Sequence, residues 1–401
     1  MVSPARPCLL CKGGRNLCGN KTCPLLPRFN IAPRIKKELG TEFFGPSFSV
    51  FVGRDGYPSV GAGPLAAIEN REEIDNPAGW FGKSYQDLIT LRSFILRSSK
   101  KESIFSRSRF VLENQEIAMA GRPADVELSF KGVPSYTASF SDVTNPMGPS
   151  ASLLKMRIAG NVHVPLKIER VVTDEMKAVE SVRKLYSSGH DVHRITSIIS
   201  SGALGLDANK KLVPTRWGIT AIDDIIAKGL MEKIREFPQV GEFIVFEAGY
   251  LHNHFIILLM PGRWEFENFE AWAPGSTWSM GLKKTEIIEE HEPFSGRCSY
   301  ADKQAGGYYA ARIAVAEKLM EMGRQASVVS FREVYEGYVV PLGVWVIRET
   351  VRSACRASPV KFQTREEALK YIGARLRIPV PEYAKRSKIF GKRNVMNFMR
   401  G

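Results

Sequence analysis

Four cysteines lie close together near the start of the chain, and their thiolates could bind a metal ion. The spacing is C-x2-C, then six residues, then C-x4-C, formed by Cys8, Cys11, Cys18 and Cys23. Zinc prefers a tetrahedral shell of this kind, in which two short turns bring the thiolates together. The glycine, asparagine, lysine and arginine residues between the cysteines permit tight turns and offset the negative charge. The spacing therefore predicts a structural zinc site, whose closed shell leaves no position for catalysis.

Disulfide bonds are the alternative use of these cysteines. Residues Met1–Pro7 lack the apolar stretch of a secretory signal, and C-x2-C pairs rarely form disulfide bonds in a chain without such a signal. The longest apolar run, Phe255–Met260, is far shorter than the ~20 residues of a membrane helix. We therefore expect a cytoplasmic protein without a membrane span, in which Cys298 and Cys355 are free thiols.

The chain is basic, with 56 Lys and Arg against 42 Asp and Glu and a formal net charge of +14. Positive charge favours polyanionic partners, so we expect DNA among the partners; a solvated basic face is the alternative. The charge is concentrated in two clusters, Arg92, Arg97, Lys100, Lys101, Arg107 and Arg109 in one and Lys385, Arg386, Lys388, Lys392, Arg393 and Arg400 in the other. The first cluster is predicted as an exposed loop and the second as a basic tail.

Predicted helices and strands are mixed along the chain without a regular strand–helix–strand alternation. This pattern indicates an α+β fold with a mixed, largely antiparallel sheet core and flanking helices. Gly241–Glu247, His254–Met260 and Trp264–Trp272 are rich in aromatic and β-branched residues and are separated by turn residues, which predicts an antiparallel meander. Tyr338–Ile347 is predicted as a further strand.

Changes of composition divide the chain into four regions. Prolines follow the cysteine cluster, and Thr364 with Glu367 forms a capping box that predicts the start of the last helix. The predicted regions are a zinc module over 1–45, an α+β core domain over 46–360, a C-terminal helix region over 361–384 and a basic tail over 385–401.

A glycine-rich stretch from Gly296 to Tyr309 precedes a predicted helix and could bind a nucleotide-like ligand. Amides at a helix N-terminus bind phosphate, and tyrosine rings stack on bases. The candidate ligand residues are Arg297, Ser299, Gln304, Gly306, Gly307 and Tyr308. The alternative is a flexible loop that is capped by core tyrosines.

Paired histidines and carboxylates give weaker indications of chemistry. His252 and His254 could supply two metal ligands, although a turn before a strand explains them as well. The pairs Asp125–Glu127 and Glu265–Glu267 could hold a divalent metal in a nuclease, but the solvent face of a half-buried strand is the favoured interpretation.

The C-terminal tail carries apolar residues at the spacing of one helical turn. Lys392, Val395, Phe398 and Met399 occupy the positions of a peptide that could fill a hydrophobic pocket on a partner. The pattern resembles the motif by which replication and repair proteins bind the sliding clamp PCNA, with Lys in place of Gln and Met in place of the second aromatic residue. A helix shorter than ~12 residues is marginal by itself, so we expect the tail to be disordered alone and to fold on binding. The alternative is a frayed basic tail.

Three features together resemble the Nre family of archaeal DNA-repair proteins. They are the cysteine cluster, the segment Leu212–Thr220 with the sequence LVPTRWGIT, and the clamp-like tail. The resemblance implies a role in the response to DNA damage, an N-terminal zinc site and a partnership with PCNA. It assigns no catalytic residue.

An enzyme that acts on nucleic acid or a nucleotide-like ligand is the alternative function. A metal-dependent nuclease and a phosphate-ester or glycosyl hydrolase both fit, with the site in the central domain. An enzyme needs a concave site with convergent polar groups, whereas a binding protein needs only surface charge and peptides. The sequence alone leaves open whether the chain is an enzyme.

Overall fold

The chain divides into two compact units. The computed structural model describes residues 37, 39–69, 74–135, 148–276, 279, 284–338 and 341–391. The division falls between Ile226 and Ala227, within one long helix. The region 46–360, predicted as one core domain, contributes to both units. The four zinc-site cysteines and the clamp-like residues from Lys392 onward lie outside the described residues, so these assignments stay predictions.

A closed barrel of five strands is the centre of the N-terminal unit. Its strands follow the order β1-β2-β3-β5-β4 around the barrel. They are β1 (Glu42–Val52), β2 (Ser59–Ala67), β3 (Ile95–Ser103), β4 (Ala124–Phe130) and β5 (Ser150–Ile158). Neighbouring strands are antiparallel except β3 and β5, which are parallel. This order, with a helix between β3 and β4, is the Greek-key topology of OB-fold barrels.

Several helices surround this barrel. They are α1 (Tyr85–Ser93), α2 (Arg109–Met119), α3 (Leu166–Thr173), α4 (Ala178–Ser187), α5 (Val192–Ser200) and the first part of α6 (Thr215–Ile234), with short 3-10 turns at Pro77–Trp80 and Asp207–Asn209. Helix α2 is the one that connects β3 to β4. Hydroxyl groups at Ser84 and Ser108 cap α1 and α2, because each accepts a hydrogen bond from a first-turn amide.

Alternate residues of the strands fill the barrel, as the period of two along a strand requires. The buried inward residues on the first three strands are Val50, Val52, Val60, Ala62, Ala66, Leu96 and Ser98. Strands β2 and β3 approach closely at Gly63, where an added Cβ would lie 2.3 Å from the carbonyl oxygen of Ser98. The predicted exposed loop at the first basic cluster is wrong for Arg97, Lys100 and Lys101, which belong to β3. It is also wrong for Arg92 in α1 and for Arg109, the first residue of α2.

The C-terminal unit contains a six-stranded sheet in the order β11-β6-β7-β10-β8-β9. Its strands are β6 (Phe243–Tyr250), β7 (Asn253–Met260), β8 (Glu265–Trp272), β9 (Glu286–Glu292), β10 (Ser327–Val334) and β11 (Val360–Phe362). Only β8 and β10 are parallel among these paired strands. The predicted meander is wrong for β8, because β10 pairs between β7 and β8. The predicted α+β class is confirmed.

Helices cover both faces of this sheet. They are α7 (Gly306–Met322), α8 (Trp345–Arg356), α9 (Arg365–Gly373) and α10 (Val380–Ala384). Helices α7 and α8 pack on each other, and α8 contacts β6 and β7. On the other face, Ile372, Tyr383 and Phe390 pack with buried residues of the inner strands. The predicted strand Tyr338–Ile347 is wrong, because its apolar residues from Trp345 onward form the buried side of α8.

The capping box at Thr364 is confirmed as the start of α9, since its side chain accepts a hydrogen bond from the Glu367 amide. Across the described ranges, each helix is too short or too polar to cross a membrane.

Replacing Gly63 with alanine should lower the stability of the protein by about 1–3 kcal/mol, because the new methyl group meets the β3 backbone. Gly61→Ala is the matched control on the same strand, since its Cβ would lie 3.6 Å from the Ser99 side chain, an ordinary contact. Thermal unfolding of the full chain measures both variants. Equal stability would contradict the close approach of β2 and β3.

Candidate nucleic-acid interface

The predicted ligand stretch lies against buried groups of the C-terminal unit. Gly306 is the first residue of α7, and Gly307 and Tyr308 are buried in its first turn. The Tyr308 side chain is 0% exposed, and its hydroxyl donates to a carboxylate oxygen of Glu292 at 3.3 Å. Glu292 also forms a fully buried ion pair with Arg312. The Tyr308 ring is therefore part of the core and is not accessible to a base.

The other candidate ligand residues hold the loop before α7 against the sheet. Gln304 is buried, and its amide donates to the backbone oxygens of Asn268 at 2.7 Å and Ile288 at 3.1 Å. Arg297 donates to Glu290 at 2.7 Å, and its guanidinium carbon lies 4.9 Å from the centre of the Tyr308 ring. Ser299 is exposed, and its carbonyl oxygen accepts from Arg297 at 3.2 Å.

The paired histidines belong to a hairpin turn. His252 has a left-handed backbone conformation at φ 59° between β6 and β7. The His254 ring lies 2.9 Å from the Glu247 carboxylate and 3.1 Å from the Tyr335 hydroxyl. Within the described residues, no group of three or more His, Cys, Asp or Glu side chains is placed to hold a metal ion.

The two carboxylate pairs differ in their environment. Asp125 and Glu127 are exposed on β4, in agreement with the predicted solvent face. The prediction is wrong for Glu267, which is 0% exposed and receives hydrogen bonds from Ser387 and the Lys388 amide. The cause is the position of β8, which lies between β10 and β9 and is covered by the segment after α10. Burial raises the pKa of Glu267 above its ordinary value.

Basic and aromatic side chains share the outer surface of β1, β2 and β3. The guanidinium carbon of Arg97 lies 5.4 Å from the ring centre of Phe51, across the glycines of β2. Lys101 is exposed and pairs in register with Gly61. We call this surface the barrel face, and its residues are Phe51, Gly61, Arg97, Ser99 and Lys101, with the adjoining loop Gly53–Pro58 and Trp217.

Two aromatic rings are exposed at the edge of the barrel face. Tyr57 in the β1–β2 loop is 44% exposed and Trp217 in α6 is 45% exposed. Their ring centres are 5.1 Å apart, and the ring planes are inclined at 57°. Arg54 and Arg216 are exposed nearby in the sequence. Burial lowers the pKa of Arg97, and the negative charge of Asp55 opposes this effect.

Hydrogen bonds from the barrel hold Trp217 in place. The Val52 amide donates to Thr215 Oγ1 at 2.9 Å, and the Leu212 amide donates to the Ile104 carbonyl at 2.8 Å. Trp217 follows Thr215 by two residues in the first turn of α6. The position of the aromatic pair is therefore set by the barrel itself.

The neighbouring part of the outer surface is covered. Ser49 faces outward from β1 and donates a hydrogen bond to the half-buried side chain of Asp75. Arg92 lies 5.3 Å from the Trp80 ring, and burial lowers its pKa to about 10 while it raises the pKa of Asp75. Residues 74–94 thus cover the surface beside Ser49, whereas Phe51 is half-buried and Lys101 is exposed.

Two family models match the chain. The model described as archaeal Nre, N-terminal, matches residues 17–279, and the model described as archaeal Nre, C-terminal, matches residues 292–398. The chain belongs to the archaeal Nre family. The resemblance found in the sequence is thereby confirmed.

Curated relatives in this family match over most of their length. DNA repair protein NreA of Archaeoglobus fulgidus is 37% identical over 366 residues, which cover 90% of this chain and 92% of the relative. DNA repair protein NreB of the same organism is 34% identical over 385 residues, which cover 95% of this chain and 96% of the relative. DNA repair protein NreA of Haloferax volcanii is 34% identical over 356 residues, which cover 86% of this chain and 85% of the relative. No solved structure gives a significant match to the chain.

The segment Leu212–Thr220, which carries much of the resemblance to the Nre family, leads into the barrel face. It supplies both Thr215, which binds the β1 backbone, and Trp217. Charge clustering in the sequence found Arg97 and Lys101 but missed the aromatic residues. The available signal was the alternation of Phe51 with the apolar residues Val50 and Val52, both of which are buried.

Proposed function

We propose that this Nre-family protein acts in DNA repair and contacts DNA through the barrel face of its N-terminal unit. The observation that carries the proposal is a Greek-key barrel that presents Arg97 beside Phe51 and an exposed Lys101 on its strands, and an exposed Tyr57–Trp217 pair at its β1–β2 loop. Strand faces and the β1–β2 loop of such barrels commonly bind nucleic acid. The names of the curated relatives and the net charge of +14 support a role on DNA.

Each side-chain type on this surface fits a different part of DNA. Exposed lysine and arginine groups neutralise phosphates and release counterions, which makes binding depend on salt. Aromatic rings offer flat apolar surfaces to bases. The Arg97 guanidinium over the Phe51 ring presents a planar cation on the same surface. The proposal therefore assigns the phosphate contacts to the basic residues and the base contacts to the rings.

Removing positive charge from the barrel face should weaken DNA binding. The double variant Arg54→Gln with Lys101→Gln should reduce the slope of log K against log salt by roughly 0.7–0.9 per charge. The matched control is Lys155→Gln with Arg157→Gln, because both residues are exposed on β5, which pairs with β4. A fluorescence titration of the full chain at several salt concentrations measures the slopes. Equal slopes for the two double variants would exclude the barrel face as the site of phosphate contact.

We also propose that Cys8, Cys11, Cys18 and Cys23 hold a structural zinc ion, on the basis of their spacing. Cys18→Ser should release zinc, because three thiolates no longer close the tetrahedral shell. Cys298→Ser is the control, since Cys298 is an exposed free thiol. Metal analysis of protein purified without chelator should give about one zinc per chain for the control and less for Cys18→Ser. Equal zinc contents would exclude this site.

Recruitment by the sliding clamp PCNA is the third part of the proposal, and it rests on the tail residues Lys392, Val395, Phe398 and Met399. Phe398→Ala should abolish clamp binding, because the ring is the largest apolar anchor of the peptide. Lys385→Ala serves as the control for loss of a basic residue of the tail outside the clamp-like motif. Calorimetric titration of the full chain with purified PCNA compares the two. Unchanged binding by Phe398→Ala would refute the tail assignment.

A further inference from the structure

We infer that the barrel face binds single-stranded DNA and discriminates against the duplex. The inference rests on the proposed function, since it names the form of DNA that the same surface takes. Bases in a duplex are stacked on both faces, whereas bases of a single strand can stack on protein rings. Base stacking on Tyr57 and Trp217 is the feature that would separate the two forms.

The exposure of the aromatic pair is the first argument. Tyr57 and Trp217 each keep more than two fifths of their surface accessible, at 44% and 45%, although they touch each other. Two large rings that are exposed together, with exposed arginines close by in the sequence at Arg54 and Arg216, form a stacking platform of the kind that single-strand binding proteins use. Their contact at 5.1 Å and the bond from Val52 to Thr215 hold the platform in place before DNA binds. Less side-chain entropy is then lost on binding.

The low relief of the barrel face is the second argument. Gly61 has no side chain, and Ser99 on the adjacent strand has a small one. Lys101 stands beside this flat strip, and Arg97 lies over Phe51 on the same surface. The major groove of a duplex is commonly read by a projecting helix or two-stranded ribbon. A flat strip with a basic border instead fits one sugar–phosphate backbone with its bases turned toward the protein.

The test compares binding of a labelled oligothymidine of about 15 nucleotides and of a duplex of the same length to the full chain. Wild-type protein should prefer the single strand. Tyr57→Leu combined with Trp217→Leu should weaken single-strand binding by at least about tenfold and leave duplex binding within about twofold. Phe44→Leu is the matched control, because Phe44 is 66% exposed on β1 but pairs with Glu127 of β4. This control should bind as wild type does.

A conservative variant keeps the test informative if the double variant unfolds. Trp217→Phe retains a ring and should keep single-strand affinity within about threefold of wild type, whereas Trp217→Leu should not. Thermal unfolding identifies any variant that has lost its fold.

Two results would overturn the inference. Equal affinity of wild-type protein for single strand and duplex would do so, and so would unchanged single-strand binding by the folded leucine variants. In either case, the charge variant Arg54→Gln with Lys101→Gln can still weaken binding to both single-stranded and duplex DNA. The proposed function then stands, and only the preference for single strands is refuted. If neither the charge variant nor the ring variants alter the affinity for either form of DNA, the proposed function and the single-strand inference are both refuted.

Discussion

Two backbone amides of β1 determine where the functional residues of the N-terminal unit stand. Strand β1 pairs with β4 only from Glu42 to Ser47, and its register with β2 shifts between Ser47 and Ser49. Beyond that shift the amides of Val50 and Val52 donate to the hydroxyls of Ser197 and Thr215. A buried amide without an acceptor costs about 1–3 kcal/mol, so these two hydroxyls fix α5 and α6 to the barrel.

This constraint connects the sequence of the family segment to the surface that is proposed to bind DNA. Pro214 precedes Thr215, and α6 begins there, which places Trp217 in the first turn. The loop from Gly53 to Pro58 then brings Tyr57 against Trp217. Neither ring is positioned by its own strand or helix alone. The platform exists because the Val52 amide lies beyond the β1–β4 pairing and donates instead to Thr215 of the 212–217 segment.

Local features of the fold were predictable from the sequence, and long-range pairing was not. The capping box at Thr364 depends only on residues close together in the sequence, and the structure confirms it. The insertion of β10 between β7 and β8 depends on partners that are 62 to 81 residues apart in the chain, which no local pattern encodes. Closure of the barrel through the parallel pair β3–β5 is non-local for the same reason.

The candidate site, like the fold, was predictable from the sequence only where it does not depend on long-range contacts. Charge clustering identified the basic residues, because composition is visible in the sequence. The role of Glu267 was not predictable, because its burial depends on Ser387, which lies 120 residues later. The same holds for the glycine-rich stretch before α7. Its polar residues resembled a ligand site, but Gln304 and Tyr308 are occupied by groups on β8 and β9 that only the folded sheet brings near.

Hydrogen exchange of the full chain with and without a single-stranded oligonucleotide tests the central claim most directly. The barrel face should gain protection at amides of the Gly53–Gly61 and Arg97–Ser103 segments and at Leu212–Trp217, while β4 and β5 should remain unchanged. Protection that is confined to residues after Ala227, or that appears equally on β4 and β5, would contradict the account.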